Sequence, residues 1–377
     1  MGHVSVVRRS ARRRWALVLG GVCALCLIPA LVSALPAPRA EADAGLLRTR
    51  ILASADQPYQ GYAESSGSVG LPDLPDLGDV GTLLGGDSRI RAWYASPRSW
   101  RMATVEATGE RDVYQTADGV YIWDFERNQI THLIGNLPAR LPWAADVTPP
   151  ELARRLLRRA AADDVVTSVG SRRIAGRAAA GLRLTPADPA TTVGRVDVWA
   201  DPDTGLPLRV ELAGRGQRDA VFTSRFLDLR LGSPDPAVLT PPLPASAGSI
   251  TTELDSALAI DRISPTILPP TLAGLSRLVT PTSLSGAGAY GDGWATFVAV
   301  RLPGRMGSRT LRAIEAAGGA PVDFGQGEAF EIRAALLSTL VVRSGGNRLI
   351  RRTFLLAGFV SPDVLRQAAA ELLAHRP

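Results

Sequence analysis

Between residues 206 and 212 the chain alternates: Leu206, Leu208, Val210 and Leu212 fall on one side, Arg209 and Glu211 on the other. A period of two is that of a strand with one buried face. Similar runs, rich in Trp, Tyr, Val and Ile, predict strands at Ser88–Tyr94, Trp100–Ala107, Arg111–Thr116, Val120–Phe125 and Gln129–Ile134. Short turn signals separate them: Ser96-Pro97, Thr108-Gly109, Asp118-Gly119 and Arg127-Asn128. Connections this short imply antiparallel hairpins, because parallel neighbours need long crossovers. Further strands are predicted at Val165–Val169, Gly181–Leu184, Val193–Ala200, Leu206–Leu212 and Ala220–Leu231, with a tight turn at Asp201-Pro202-Asp203-Thr204-Gly205.

Helical periodicity is rarer. Ala44–Ala55 places Leu47, Ile51 and Leu52 on one side. Thr148 is a capping residue, Pro149 and Pro150 sit where a missing N–H costs nothing, and Glu151 suits the first turn. This second helix is expected to bury Leu152, Leu156 and Ala160 and to leave Arg154, Arg155, Arg158 and Arg159 largely off that stripe. Five prolines between Ser233 and Gly248 mark a boundary. Beyond it, a small unit is expected from the strand Trp294–Arg301, a helix capped by Ser308, a hairpin of Leu336–Arg343 and Leu349–Val360, and a last helix opened by Ser361-Pro362. The expected division is residues 45–245, a linker at 246–283, and a C-terminal unit at 284–377.

The N-terminus has a different pattern. Residues 1–14 form a basic n-region, and residues 15–35 are an uncharged apolar run. Arginines before such a run set an N-in, C-out orientation. The run has the length of a membrane anchor, while Val32-Ser33-Ala34 and Ala42-Asp43-Ala44 are acceptable cleavage sites, so signal peptide and anchor both stand. Either places the remainder outside the cytoplasmic membrane, secreted or anchored to it. Cys23 and Cys26 lie within the apolar run and are read as two of its small apolar residues.

Composition is globular, with 46% hydrophobic and 21% charged residues. The formal charge is +6, but removing Arg8, Arg9, Arg12, Arg13 and Arg14 leaves +1. The basic balance therefore belongs to the leader and indicates no nucleic-acid partner. All 42 basic residues are arginine, a composition typical of high-GC genomes such as those of actinobacteria. Without lysine, Schiff-base and S-x-x-K chemistries are excluded.

Several stretches together resemble the LolA/RseB group of bacterial envelope proteins: Arg91-Ala-Trp-Tyr94, Asp112-Val-Tyr-Gln115, Val120-Tyr-Ile-Trp123, Ile174-Ala-Gly-Arg177, Leu182-Arg-Leu-Thr-Pro186, Gly194 through Val210, and Thr223 through Asp228. The resemblance spans roughly residues 45–245, and the C-terminal unit lies where RseB/MucB-type sigma-factor regulators carry a smaller second domain. It implies a mainly β, α+β chain: an unclosed antiparallel half-barrel covered by helices, followed by a small α+β domain. It also implies a non-enzymatic protein that binds an acyl lipid, a lipoprotein or another apolar ligand, and that binds the exported part of an anti-sigma factor or another membrane protein. A LolA-type lipid or lipoprotein carrier is the alternative.

Candidate chemistry is sparse. His132 and His375 are far apart and lack cysteine neighbours, so no metal is expected. Asp201-x-Asp203 reads as a turn rather than a calcium loop, since Gly205 comes one position early. Gly286-Ala-Gly288-Ala-Tyr-Gly291 matches G-x-G-x-x-G but stands before a strand, not a helix, so no cofactor is expected. No catalytic residue is singled out. What remains is apolar surface: Trp93, Trp100, Tyr121, Trp123, Trp199 and Phe226 on strands are the candidate ligand-cavity residues, and Arg154, Arg155, Arg158 and Arg159 the candidate partner or membrane surface. The sequence leaves the face of each aromatic open, because a one-residue slip swaps faces.

Overall fold

The computed structural model of the chain describes residue 15 and residues 42–69, 78–105, 109–135, 142–242, 244, 246–253, 267–278, 286–325, 327–346 and 351–375. The n-region, both cysteines and all of the apolar run but Trp15 lie outside the described residues. Among those described, no helix is long and apolar enough to cross a membrane.

Twelve strands build the larger sheet: β1 (Tyr59–Gly67), β2 (Asp87–Ser96), β3 (Ser99–Val105), β4 (Glu110–Thr116), β5 (Gly119–Asp124), β6 (Gln129–Ile134), β7 (Val165–Ile174), β8 (Arg177–Thr185), β9 (Val193–Ala200), β10 (Pro207–Gly214), β11 (Phe222–Leu231) and β12 (Gly248–Glu253). Their order is β12-β6-β5-β4-β3-β2-β1-β11-β10-β9-β8-β7, so the two end strands are not paired and the sheet is unclosed. Every pairing is antiparallel except β12, which lies parallel on β6. In this sheet, two strands arise where no strand was expected. β1 is flanked by β2 and β11 and joins the two halves of the sheet. β12 comes from the stretch assigned to the linker.

Among the described residues, three helices accompany this sheet: α1 (Ala44–Ala53), α2 (Gly78–Gly85) and α3 (Pro149–Arg158). The Asp43 carboxylate caps α1 by accepting from the Leu46 N–H at 2.9 Å, and Leu47 and Ile51 are fully buried. Against them pack Leu182, Leu184, Val196, Val198, Leu206, Leu208 and Val210, each 0% exposed. At α3 the face differs from expectation. Pro149, Pro150, Ala153, Arg154 and Leu157 are buried, while Leu152 and Leu156 only flank the core. The helix thus packs on its Ala153/Leu157 ridge, which carries Arg154 inward. Thr148 is the capping residue, yet its hydroxyl donates to the Ala145 carbonyl at 2.7 Å instead of capping α3.

The smaller sheet has six strands in the order β15-β16-β20-β19-β18-β17. These are β15 (Ala287–Tyr290), β16 (Phe297–Leu302), β17 (Ala320–Pro321), β18 (Glu328–Arg333), β19 (Ser338–Arg343) and β20 (Thr353–Gly358), preceded by a two-strand ladder of β13 (Thr271–Leu272) and β14 (Leu275–Ser276). Helices α4 (Gly304–Ala316) and α5 (Pro362–Ala374) cover opposite faces. Leu311 and Ile314 of α4 meet Val341, while Leu365, Ala369 and Leu372 of α5 share a core with Leu340, Val342 and Leu356. Helix α4 begins at Gly304 with Pro303 at its cap position, so Ser308 is not the cap. Its hydroxyl donates back to the Gly304 carbonyl.

The two sheets are joined by a direct seam. Thr191 and Val360 form an antiparallel bridge, the Ser361 N–H donates to the Ala190 carbonyl at 2.9 Å, and the Thr192 N–H donates to the Phe359 carbonyl at 3.2 Å. Trp294, 3% exposed, belongs to the large core and donates its indole N–H to Asp164 at 2.6 Å. Gly214 is required here by proximity, since a Cβ there would stand 2.3 Å from the Ala335 carbonyl oxygen.

Candidate functional site

The larger sheet has an inner face, under α1 and α3, and an outer face. The six candidate aromatics divide between them. Trp100 and Phe226 are on the inner side, in the large core. Phe226 meets Tyr59 edge-on at 5.5 Å, and Tyr59 stacks on Tyr94 at 5.0 Å. The Tyr94 hydroxyl donates to the Ala55 carbonyl at 2.6 Å. Burial pushes the Tyr94 phenol up to about 12 and lifts that of Tyr59 further.

Arg154 lies beside this aromatic group, 2% exposed. It donates to Glu151 at 3.1 Å and to the Ser54 carbonyl at 3.4 Å. It is therefore not part of a free basic surface. Arg159 reaches Thr296 of the second unit at 3.2 Å. Arg155 pairs with Asp146 at 2.6 Å and Glu151 at 2.8 Å, and Arg158 stands 3.8 Å from Glu151. Those two keep about half of their side chains in solvent, 47% and 54%.

Trp93, Tyr121, Trp123 and Trp199 are on the outer face. Trp199 crosses Gly181, donates to the Gly170 carbonyl at 2.9 Å, and carries the Arg172 guanidinium 4.0 Å above its ring. It borders a cavity of about 440 Å³ with Arg183, Arg195, Asp197 and Glu211. Tyr121 stacks on His132 at 4.0 Å and donates to Asp118 at 2.8 Å.

Trp93 and Trp123 frame the more unusual group. Cross-strand register sets Trp93 opposite Arg101, Arg101 opposite Tyr114, and Asp112 opposite Trp123. The Arg101 guanidinium lies 4.5 Å from the Trp93 ring centre and 5.3 Å from that of Tyr114. It donates to Asp112 Oδ2 at 2.7 Å and Glu110 Oε1 at 3.3 Å, and the Tyr114 hydroxyl donates to Asp112 Oδ2 at 3.1 Å. Asp112 is 3% exposed. Its Oδ1 and the Arg101 Nε have no hydrogen-bond partner. Burial pushes the Asp112 carboxyl up to about 6, with Glu110 adding to the rise and Arg101 and Tyr114 opposing it.

A strap crosses this group. The 3₁₀ turn Pro236–Leu239, capped by Asp235, continues through Thr240 to Pro242. Ala237, Val238, Thr240 and Pro242 roof a cavity of about 300 Å³ whose other walls are Arg101, Glu110, Asp112, Tyr114, Trp123 and Phe125. On the strap's other flank, Leu239 and Pro241 border a hollow of about 490 Å³ with Arg98, Ser99, Thr116 and Ala117. Sequence reasoning missed Arg101, Glu110, Asp112 and Tyr114. The available signal was an aspartate in mid-strand, where Asp is depleted, alternating with tyrosine.

Among the described residues, no three of His, Cys, Asp and Glu sit together as metal ligands would. The glycine motif at 286–291 forms β15 and the turn after it, not a strand-to-helix loop.

Residues 125–247 match the model of the MucB/RseB N-terminal domain. This segment runs from the turn after β5 through α3 and β11 to the strap. No curated protein matches the chain. Among solved structures, the MucA/MucB complex of Pseudomonas aeruginosa is similar at 20% identity over 87% of this chain and 97% of that one, with a TM-score of 0.49. A second structure, of MucB with MucA(peri), has 19% identity over the same shares and a TM-score of 0.46. A LolA superfamily protein from Nitrosomonas europaea has 12% identity over 53% of this chain and 99% of that one, with a TM-score of 0.24. Residues 125–247, which carry α3 and the β6–β11 part of an unclosed strand-rich sheet, are thus similar to the MucB/RseB N-terminal domain.

Proposed function

We propose that this chain is an extracytoplasmic, non-enzymatic binding protein of the MucB/RseB type. It binds the exported segment of a membrane anti-sigma factor, and an acyl lipid or other apolar ligand tunes that binding. The observation that carries the reading is the MucB/RseB match at residues 125–247. The N-terminal pattern of arginines and a long apolar run agrees with export across the cytoplasmic membrane.

Packing narrows where an apolar ligand would enter. Over β1 and β8–β11 the inner face is filled by α1 and α3. Toward β5 and β6, Ile122 and Leu133 are only partly covered, as are Leu84 of α2 and Trp143. An acyl chain would be received at that edge. Trp123 points to the other face and would not touch it.

The test uses full-length protein and the exported segment of the anti-sigma factor encoded in the same genome. Calorimetry is expected to give a one-to-one complex, and mass spectrometry of the purified protein is expected to find acyl lipid. Ile122→Asp should lower lipid occupancy in a folded variant. Absence of the complex overturns the regulatory reading; absence of lipid, with no binding of added acyl lipid, overturns the ligand-tuned part.

A further inference from the structure

We infer that the cavity beneath the Pro236–Pro242 strap is a binding site for an organic cation, a guanidinium or primary ammonium carried on an extended polypeptide. This goes beyond the regulatory reading, which makes no use of the outer face.

Three observations converge. First, the charge count is uneven: one guanidinium, Arg101, serves two carboxylates, Glu110 and Asp112. A cluster with one carboxylate in excess, held under a roof of Ala237, Val238, Thr240 and Pro242, favours a positive guest. Second, Asp112 is almost fully buried, yet its Oδ1 accepts nothing. Such an acceptor inside a native fold calls for a donor. The Nε of Arg101, whose guanidinium pairs with the other carboxylate oxygen, is an unused donor. A ligand bearing a cation and a nearby carbonyl would satisfy both, and a basic side chain on a peptide backbone has both groups. Third, the walls are aromatic. The resident guanidinium already occupies the Trp93 and Tyr114 rings, which leaves Trp123 and the exposed Phe125 to face a second cation. At about 300 Å³ the cavity is at the small end of ligand pockets, suited to one side chain rather than a lipid.

Affinity should depend on pH. Among the described residues, the charged and titratable groups facing Asp112 are Arg101 from β3 and Glu110 and Tyr114 from β4. Arg91 of β2 lies exposed in the same cross-strand row, two strands away. The strap residues over the cavity do not titrate. With Asp112 titrating near 6, about a tenth of it stays ionised at pH 5, and cation binding should fall about tenfold from its value at pH 7.5.

The experiment titrates full-length protein in detergent micelles with acetyl-Gly-Arg-Gly amide, with its citrulline counterpart, and with butylguanidinium alone. The arginine peptide should bind with a dissociation constant of about 1 mM or tighter at pH 7.5 and about tenfold weaker at pH 5, and the citrulline peptide at least about tenfold weaker at both. Butylguanidinium binding as tightly as the peptide would replace the peptide source with a free small cation and overturn that part. Asp112→Asn should abolish the pH dependence. Glu110→Gln, whose side chain is 35% exposed, should weaken binding severalfold and serves if the first variant does not fold. Equal binding of the arginine and citrulline peptides, or unchanged affinity in the folded variants, overturns the proposal.

Discussion

The two faces of the twelve-stranded sheet are built from the same strands and end in opposite states. On the inner face, Leu182, Leu184, Val196, Val198 and Val210 are fully buried under α1 and α3. The buried arginine there, Arg154, has both a carboxylate and a carbonyl partner. On the outer face, aromatic rings alternate with charges, a buried carboxylate lacks a partner on one oxygen, and a proline strap leaves cavities on either flank. Each face keeps an unpaired buried polar atom, but on the inner face it is the neutral Ser65 hydroxyl, whereas on the outer face it is a carboxylate oxygen of a residue that borders a cavity. Function is expected where a buried charge is left incomplete beside open space, because such a group carries a cost that folding alone does not repay.

The largest effect should come from the finished face. Leu182→Ala removes side-chain volume from a fully buried position and should cost about 3 kcal/mol in chemical denaturation. A loss under about 1 kcal/mol would mean that the inner face is loosely packed. Next, Arg101→Met leaves Asp112 buried beside Glu110 without its counter-charge. It should cost about 2 kcal/mol at pH 7.5 and less at pH 5, as Asp112 takes up a proton. The comparison fails if that cost is the same at both values.

A subtler contrast lies in the pH profile. Asp112 titrates near 6 in the folded chain against an ordinary value of 3.8, so between these values the folded state holds the extra proton. Stability from this group therefore falls as pH rises through that window and is lowest above 6. Denaturation curves of the wild type should show this component, and those of Asp112→Asn should lack it. The smallest effect belongs to the exposed helix charges: Arg155→Ala should change stability by less than about 0.5 kcal/mol, despite its pairs with Asp146 and Glu151.

Local signals carried much of this architecture. Strands β6 and β9 fall on Gln129–Ile134 and Val193–Ala200 as turn and alternation rules place them, β2, β4 and β5 shift by a residue or two at their ends, and the expected end of β3 at Ala107 lies outside the described residues. The misses share a cause. β1, with Gly61, Ser65, Ser66 and Gly67, has weak strand propensity and is held between β2 and the distant β11 by ladder pairing on both edges. β12 owes its existence to β6, more than a hundred residues earlier. Likewise, no local rule says which ridge of α3 meets the sheet, so the inward turn of Arg154 was not legible. The facing of the six aromatics depended on the same long-range choice. Asp112 and Arg101 were invisible as a pair because their proximity comes from cross-strand register and a strap contributed by residues 236–242.

The regulatory reading is most directly tested by protection from proteolysis. Full-length protein is mixed with the exported segment of the anti-sigma factor proposed as its partner, and cleavage of that segment by a broad-specificity protease is followed over time. The account predicts that an equimolar amount slows cleavage by about tenfold or more, and that added acyl lipid changes the protection. Cleavage at the same rate with and without the protein would contradict it.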